Sequence, residues 1–147
     1  MIKLYHYSQA DFKRDLKRIY FILPKELKDI KINLITYGNA SFSNGININF
    51  LGLSENEDLK IALEFYLHKR LSLRQYIIYC ILHEYGHYNR HIQGLNDMRA
   101  YREQTYWIDL SNNPYIKRQL DYWRHITEEK EAWKFAKKYI NKITLTK

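Results

Sequence analysis

Hydrophobic and polar positions alternate along this chain with two periods, and each period predicts a kind of element. Phe12, Leu16, Ile19, Tyr20 and Leu23 recur at helical spacing, with Lys13, Arg14, Lys17 and Arg18 on the opposite side. Ser8 followed by Asp11 is a capping pair that opens this helix, and Pro24 closes it. Lys31 to Tyr37 is rich in β-branched and aromatic residues and predicts a strand. Gly38-Asn39 and Ser43-Asn44-Gly45 are turn signals. Ile46-Asn47-Ile48-Asn49-Phe50 alternates with period two and predicts a half-buried strand, antiparallel to the first. Gly52 to Asn56 reads as a loop and Leu59 to Leu67 as a short helix.

Ser72 and Gln75 form a second capping box. It opens a long helix that ends near Gly94, apolar on nearly every side, and so predicted to be buried and central. Asn113-Pro114 is a helix start, with Asn as cap and Pro in the first turn. A final helix carries Ala132, Phe135, Ala136, Tyr139, Ile140 and Ile143 on one stripe. The pattern predicts one α+β domain over residues 1–147, a small antiparallel sheet packed on the central helix with further helices around it.

Composition narrows the chemistry. A single cysteine, Cys80, excludes an internal disulfide framework and a cysteine-rich zinc site. It lies within an apolar run and reads as a small buried hydrophobe. No signal peptide and no membrane-spanning run is expected, and a reducing cytoplasmic location follows as the expectation. The net charge of +8 permits a nucleic-acid partner without favouring it. The basic residues fall near the two ends, where amphipathic helices are predicted, and solvated helix faces account for them.

The central helix contains His83-Glu84-Tyr85-Gly86-His87, an H-E-x-x-H motif. Two histidines four residues apart share one helix face, so their imidazoles can converge on a single tetrahedral zinc ion. Glu84 sits about a quarter-turn round, beside the metal, where it can act as general base and then acid. Three ionisable residues in an apolar helix are costly unless paired or metal-bound.

A catalytic zinc site needs a third protein ligand. On the final helix Glu128 and Glu129 lie at opposite margins of the apolar stripe, His125 lies near its middle, and Glu131 lies to the side. His125 or Tyr122 could instead stabilise an oxyanion. His91 continues the histidine series by a turn and reads as a rim residue. Gln93 stands where a metzincin would need its third histidine.

His83-Glu84-Tyr85-Gly86-His87, with the helix from Glu129 to Ala136, resembles the gluzincin zinc metallopeptidases, and most nearly the compact ImmA/IrrE-type family. That family joins an H-E-x-G-H helix to a helix reading Glu-x-x-Ala-Asn/Asp-x-Phe-Ala, whose first Glu is the third ligand. The resemblance implies a minimal zincin fold, zinc held by His83, His87 and Glu129, and Glu84 as catalytic base. It implies a regulatory or phage-borne intracellular peptidase acting on a protein partner, with the edge strand Ile46–Phe50 aligning the peptide. This chain departs from the pattern at Trp133, where the family has the Asn or Asp that supports the first histidine. It also has a long insert before Glu129. A zincin scaffold that binds a protein or nucleic acid without hydrolysis is the alternative.

Overall fold

A computed structural model describes residues 7–42, 45–95 and 115–144. The predicted helix start at Asn113-Pro114 and the aromatic residues Tyr101, Tyr106 and Trp107 lie outside these. The chain is a mixed α+β structure in which helices dominate.

Helix α1 (Gln9–Ile22) begins at the expected capping box: the Ser8 hydroxyl accepts from the Asp11 N–H, and Asp11 accepts from the Ser8 N–H. Its buried stripe is Phe12, Asp15 and Ile19, and it ends at Leu23, ahead of Pro24. A short 3-10 turn (Lys25–Leu27) leads to three strands, β1 (Ile32–Leu34), β2 (Ala40–Phe42) and β3 (Ile46–Ile48).

The sheet order is β1-β3-β2, with β3 in the middle. β2 pairs antiparallel with β3, Phe42 opposite Ile46, but β1 pairs with β3 in parallel, Ile32 opposite Ile46. The expected antiparallel pairing of the first and last strands is therefore corrected. β2, a strand the residue pattern did not reveal, runs antiparallel to β1 with a gap one strand wide, and β3 fills the gap. Ile46 and Ile48 are fully buried, whereas Asn47 joins a polar ladder with Asn33 and Ser41 on the other face. The period-two reading of β3 holds, but β3 is not an edge. It is covered on both sides, so the peptide-aligning role expected of Ile46–Phe50 is corrected as well.

Helix α2 (Phe50–Glu55) occupies the stretch read as a loop. Gly52 suggested a turn, yet its smallness serves packing: a Cβ there would overlap the Gly38 carbonyl and the Asn49 side chain. Phe50 packs on Phe12 at 4.9 Å and Leu53 is fully buried, which holds the short helix in place. Helix α3 (Glu57–Leu67) is capped by Asn56 and ends at His68 in the left-handed region.

Helix α4 (Leu73–Ile92) carries the second expected capping box, and every residue from Tyr76 to His87 is buried. It packs chiefly against α6 (Thr127–Thr144) and touches β2 and β3. Helix α5 (Tyr115–His125) packs between α3 and α6. Gly86 sets the closeness of α4 and α6, since a Cβ on it would meet the Ala132 Cα at 2.8 Å and the Ala132 carbonyl oxygen at 2.9 Å. No helix among the described residues is long and apolar enough to cross a membrane.

Candidate metal centre

The H-E-x-x-H turn lies in the buried stretch of α4, with Gly86 letting α6 come close on the same side. The helix stacks His83 and His87 one turn apart, with ring planes nearly perpendicular at 89°. Their Nε2 atoms lie 3.2 Å apart. The Glu129 carboxylate, in the first turn of α6, spans both: Oε1 is 2.8 Å from His83 Nε2 and Oε2 is 3.0 Å from His87 Nε2. All three residues are buried, and one donor atom from each falls within 4.8 Å of the others.

These residues could hold a metal ion. A tetrahedral zinc ion at ordinary Zn–N lengths separates two nitrogen donors by about 3.3–3.4 Å. The observed Nε2 separation needs to widen only slightly, and two imidazoles with one carboxylate are a donor set that zinc accepts. The same atoms also form ion pairs when an imidazole is protonated. Burial raises the Glu129 carboxyl, but the charge of His83 and hydrogen bonds from His83 and His87 outweigh it and hold the group well below the usual carboxylate range.

Glu84 is also buried. Its carboxyl is pushed up by burial and by the charge of Glu129, against the opposite pull of His83 and His87. A carboxylate so placed is a stronger base than one in water. Burial, with a contribution from Glu84, likewise raises the Cys80 thiol far above its ordinary value, consistent with an inert core thiol.

Trp133 stands where the resemblance calls for Asn or Asp, and the structure shows what it does. Its ring lies on His83 with centroids 4.0 Å apart and planes tilted by 34°. His83 is thus held by an aromatic face, and its Nδ1 has no hydrogen-bond partner among the described residues. Trp123 and Tyr66 continue the aromatic wall behind Trp133, at 4.9 and 6.1 Å. The Tyr66 hydroxyl is raised first by burial and then by the Glu129 charge, which places it in the electrostatic reach of the site.

The other candidates separate from the cluster. Glu128 is half-buried, Glu131 is exposed, and neither belongs to the convergent group. His125 is exposed. The chain leaves helical geometry at Ile126, so the register of α6 does not extend back to His125, and its expected place on the buried stripe is corrected. Tyr122 is half-buried on α5. His91 is exposed and meets Phe42 of β2 at 5.5 Å, making a rim with Tyr88.

Residue spacing gave no hint of Tyr66 or Trp123, because each reaches the site only through tertiary packing, nor of β2, whose Phe42 meets α4 at Tyr88 and His91. Gly86 was legible in principle: a glycine inside a buried helix signals a close neighbour. No protein-family model, no curated protein and no solved structure matches this chain.

Proposed function

We propose that this protein is a zinc-dependent peptidase of the gluzincin kind, close in plan to the compact ImmA/IrrE-type family. His83, His87 and Glu129 hold the ion through two Nε2 atoms and a carboxylate oxygen, and Glu84 is the general base. The observation that carries the reading is the convergence of three buried donors from two helices beside a fourth, buried carboxylate. Zinc, when bound, supplies Lewis-acid polarisation of the scissile carbonyl and of water. Glu84 takes the proton from the attacking water and delivers it to the leaving amine. Glu129 offsets part of the ion's charge while Trp133 fixes the His83 ring. The substrate is a peptide segment of an intracellular protein partner. Its backbone pairs with β2 (Ala40–Phe42), whose outer side has no strand partner among the described residues.

A second reading, a metal-holding scaffold that binds a partner without hydrolysis, draws on the Trp133 stack. With no acceptor at Nδ1 among the described residues, His83 lacks there the polarising support that catalytic zinc histidines usually have. One substitution separates the two. Glu84→Gln should leave zinc content and fold unchanged and reduce cleavage of an unstructured peptide library by about 100-fold or more. Cleavage at the wild-type rate by the variant, or none by the zinc-loaded wild type, rules out the peptidase reading.

A further inference from the structure

On the peptidase reading above, in which a peptide pairs with β2, we propose that Phe42, Tyr88 and His91 form the subsite that selects the peptide. It takes an aromatic side chain opposite Phe42, with polar residues on either side. The alternation of β2 sets this up. Ala40 and Phe42 lie opposite Ile48 and Ile46, so they share the face on which those isoleucines are fully buried. Ser41 lies opposite Asn47 and points to the other face, where its hydroxyl accepts from Asn47, which in turn accepts from Asn33. On the isoleucine face the Phe42 ring reaches α4, meeting Tyr88 at 5.7 Å and His91 at 5.5 Å.

Helical spacing ties these rings to the candidate metal centre. Glu84, Tyr88 and His91 stand at i, i+4 and i+7, which is one stripe of α4. A strand that touches Tyr88 and His91 therefore lies on the side of the helix that carries the candidate base. His91 is also one turn beyond the candidate ligand His87. The three rings make an aromatic corner. Tyr88 and His91 are nearly parallel, with planes 22° apart and centroids 6.4 Å apart, and Phe42 stands across them at 53° and 61°. Phe42 and Tyr88 are half-buried and His91 is exposed, so each ring keeps some surface in contact with solvent.

The corner and the strand together define the guest. A peptide paired with β2 lies about 4.8 Å from it and puts every second side chain on the Phe42 face. The residue opposite Phe42 has its Cβ about 4.5–5.5 Å from that of Phe42, close enough for a ring to join the cluster. Aromatic rings pack edge-on or offset at centroid separations of about 4.5–7 Å, the range these three already show among themselves. A carboxylate in the same place would give up water against ring faces, at a cost no Lys or Arg of the corner offsets. The next residues of the peptide fall on the side of Ser41 and the Asn33–Asn47 ladder, which offers a hydroxyl and amides in place of apolar contact.

The test uses labelled peptides of Ser and Thr with one central guest residue, Phe, Leu, Ala or Glu, and the full chain loaded with zinc. Fluorescence anisotropy with Glu84→Gln reads binding, and the wild type reads cleavage of the same peptides. The Phe guest should bind about 10-fold more tightly than Ala, with Leu between them and Glu weakest. Added to Glu84→Gln, His91→Ala should narrow the Phe-to-Ala ratio to about 3-fold and Phe42→Ala to about 2-fold or less. Phe21→Ala, at an aromatic residue of α1 that is 78% exposed, should leave the ratio unchanged. His91 is at an exposed position, so its variant keeps the test sound if Phe42→Ala disturbs β2; zinc content and circular dichroism check each protein. A ratio that survives in both variants, tighter binding of the Glu guest, cleavage without guest preference, or no binding of any peptide overturns the subsite. Guest-selective binding with no cleavage by the wild type leaves the subsite standing and rules out the peptidase reading instead.

Discussion

Helix α4 carries two charged clusters, one at its N-terminus and one in its second half, and they are built on opposite principles. Near its N-terminus Arg74 clamps the buried Asp15 of α1, Nε to Oδ2 at 2.9 Å and Nη2 to Oδ1 at 3.1 Å, while the Tyr7 hydroxyl donates to Oδ2 at 2.7 Å. The acid is answered by two permanent cations, Arg74 and, at 3.5 Å, Arg18, and by a neutral donor, all from the chain. Further along, Glu84 and Glu129 are buried with two imidazoles and, among the described residues, no permanent cation in ion-pair contact. Burying carboxylates is tolerable only with compensation, and imidazoles supply it only by holding protons. The first cluster is complete as a structural staple between α1 and α4. The second can be completed by protons on the imidazoles, which make them ion-pair partners of Glu129, or by a metal ion, and its donors face one another at distances near those around zinc.

Loss of a ligand should break this contrast most sharply. His83→Ala, His87→Ala and Glu129→Ala should each lower zinc affinity by more than the roughly 100-fold typical of an outer supporting residue, measured by competition with a chelating dye. Glu128→Ala, Glu131→Ala and His125→Ala should change it little. If His125→Ala abolishes binding while Glu129→Ala preserves it, the ligand set is wrong.

Acid should unload the histidine cluster, and alkali should test the staple. Zinc needs neutral imidazoles, so its affinity should fall steeply as pH drops from neutrality towards about 5. At the staple, burial raises the Tyr7 hydroxyl, helped by the hydrogen bond to and charge of Asp15. A raised value means that this contribution is fully present below the ordinary tyrosine value of about 10 and is lost only above it. Tyrosine absorbance followed to high pH should therefore show Tyr7 ionising late.

A matched pair of isosteric changes in the metal-free protein compares the clusters directly. Asp15→Asn removes the anion from Arg74 and should cost about 3 kcal/mol, the low end for a buried pair because the Arg74 side chain is 26% exposed. Glu129→Gln removes a buried charge whose partners are two imidazoles, His83 Nε2 at 2.8 Å and His87 Nε2 at 3.0 Å, in place of a guanidinium. The amide keeps one acceptor for them, and the change should cost about 1–2 kcal/mol, less than Asp15→Asn. Denaturant unfolding measures both, and equal penalties would mean that the second cluster is also a self-sufficient ion pair.

The Trp133 stack should have a smaller effect. Trp133→Leu keeps apolar volume but removes the aromatic face on His83, and should weaken zinc binding by about 10- to 100-fold, with Trp133→Phe staying near wild type. Zinc binding in the wild type should also change tryptophan emission, through the ring 4.0 Å from His83. Leu and Phe variants of equal zinc affinity would reduce Trp133 to filling.

The contrast between the clusters also explains what could be read from residues alone. His83, Glu84 and His87 were legible because their relation is set within one helix, by its period. The capping boxes at Ser8 and Ser72 were legible for the same reason. Glu129 was a margin residue among rivals until the Gly86–Ala132 approach brought α6 to the histidines. The staple was invisible, since Asp15 and Arg74 are 59 residues apart and each resembles any charged residue on a helix. The sheet misled because an antiparallel hairpin is the simplest join for two strands, and a third strand of Ala, Ser and Phe carries a weak signal. Residues 50–55 misled because Gly52 answers to a neighbouring carbonyl rather than to a turn.

The central claim is that His83, His87 and Glu129 share one zinc ion. An anomalous-difference map collected at the zinc edge from crystals grown with zinc tests it most directly. The account predicts one strong peak about 2.0–2.2 Å from His83 Nε2, His87 Nε2 and a Glu129 carboxylate oxygen. No peak there, with both histidines still hydrogen-bonded to Glu129, would contradict it.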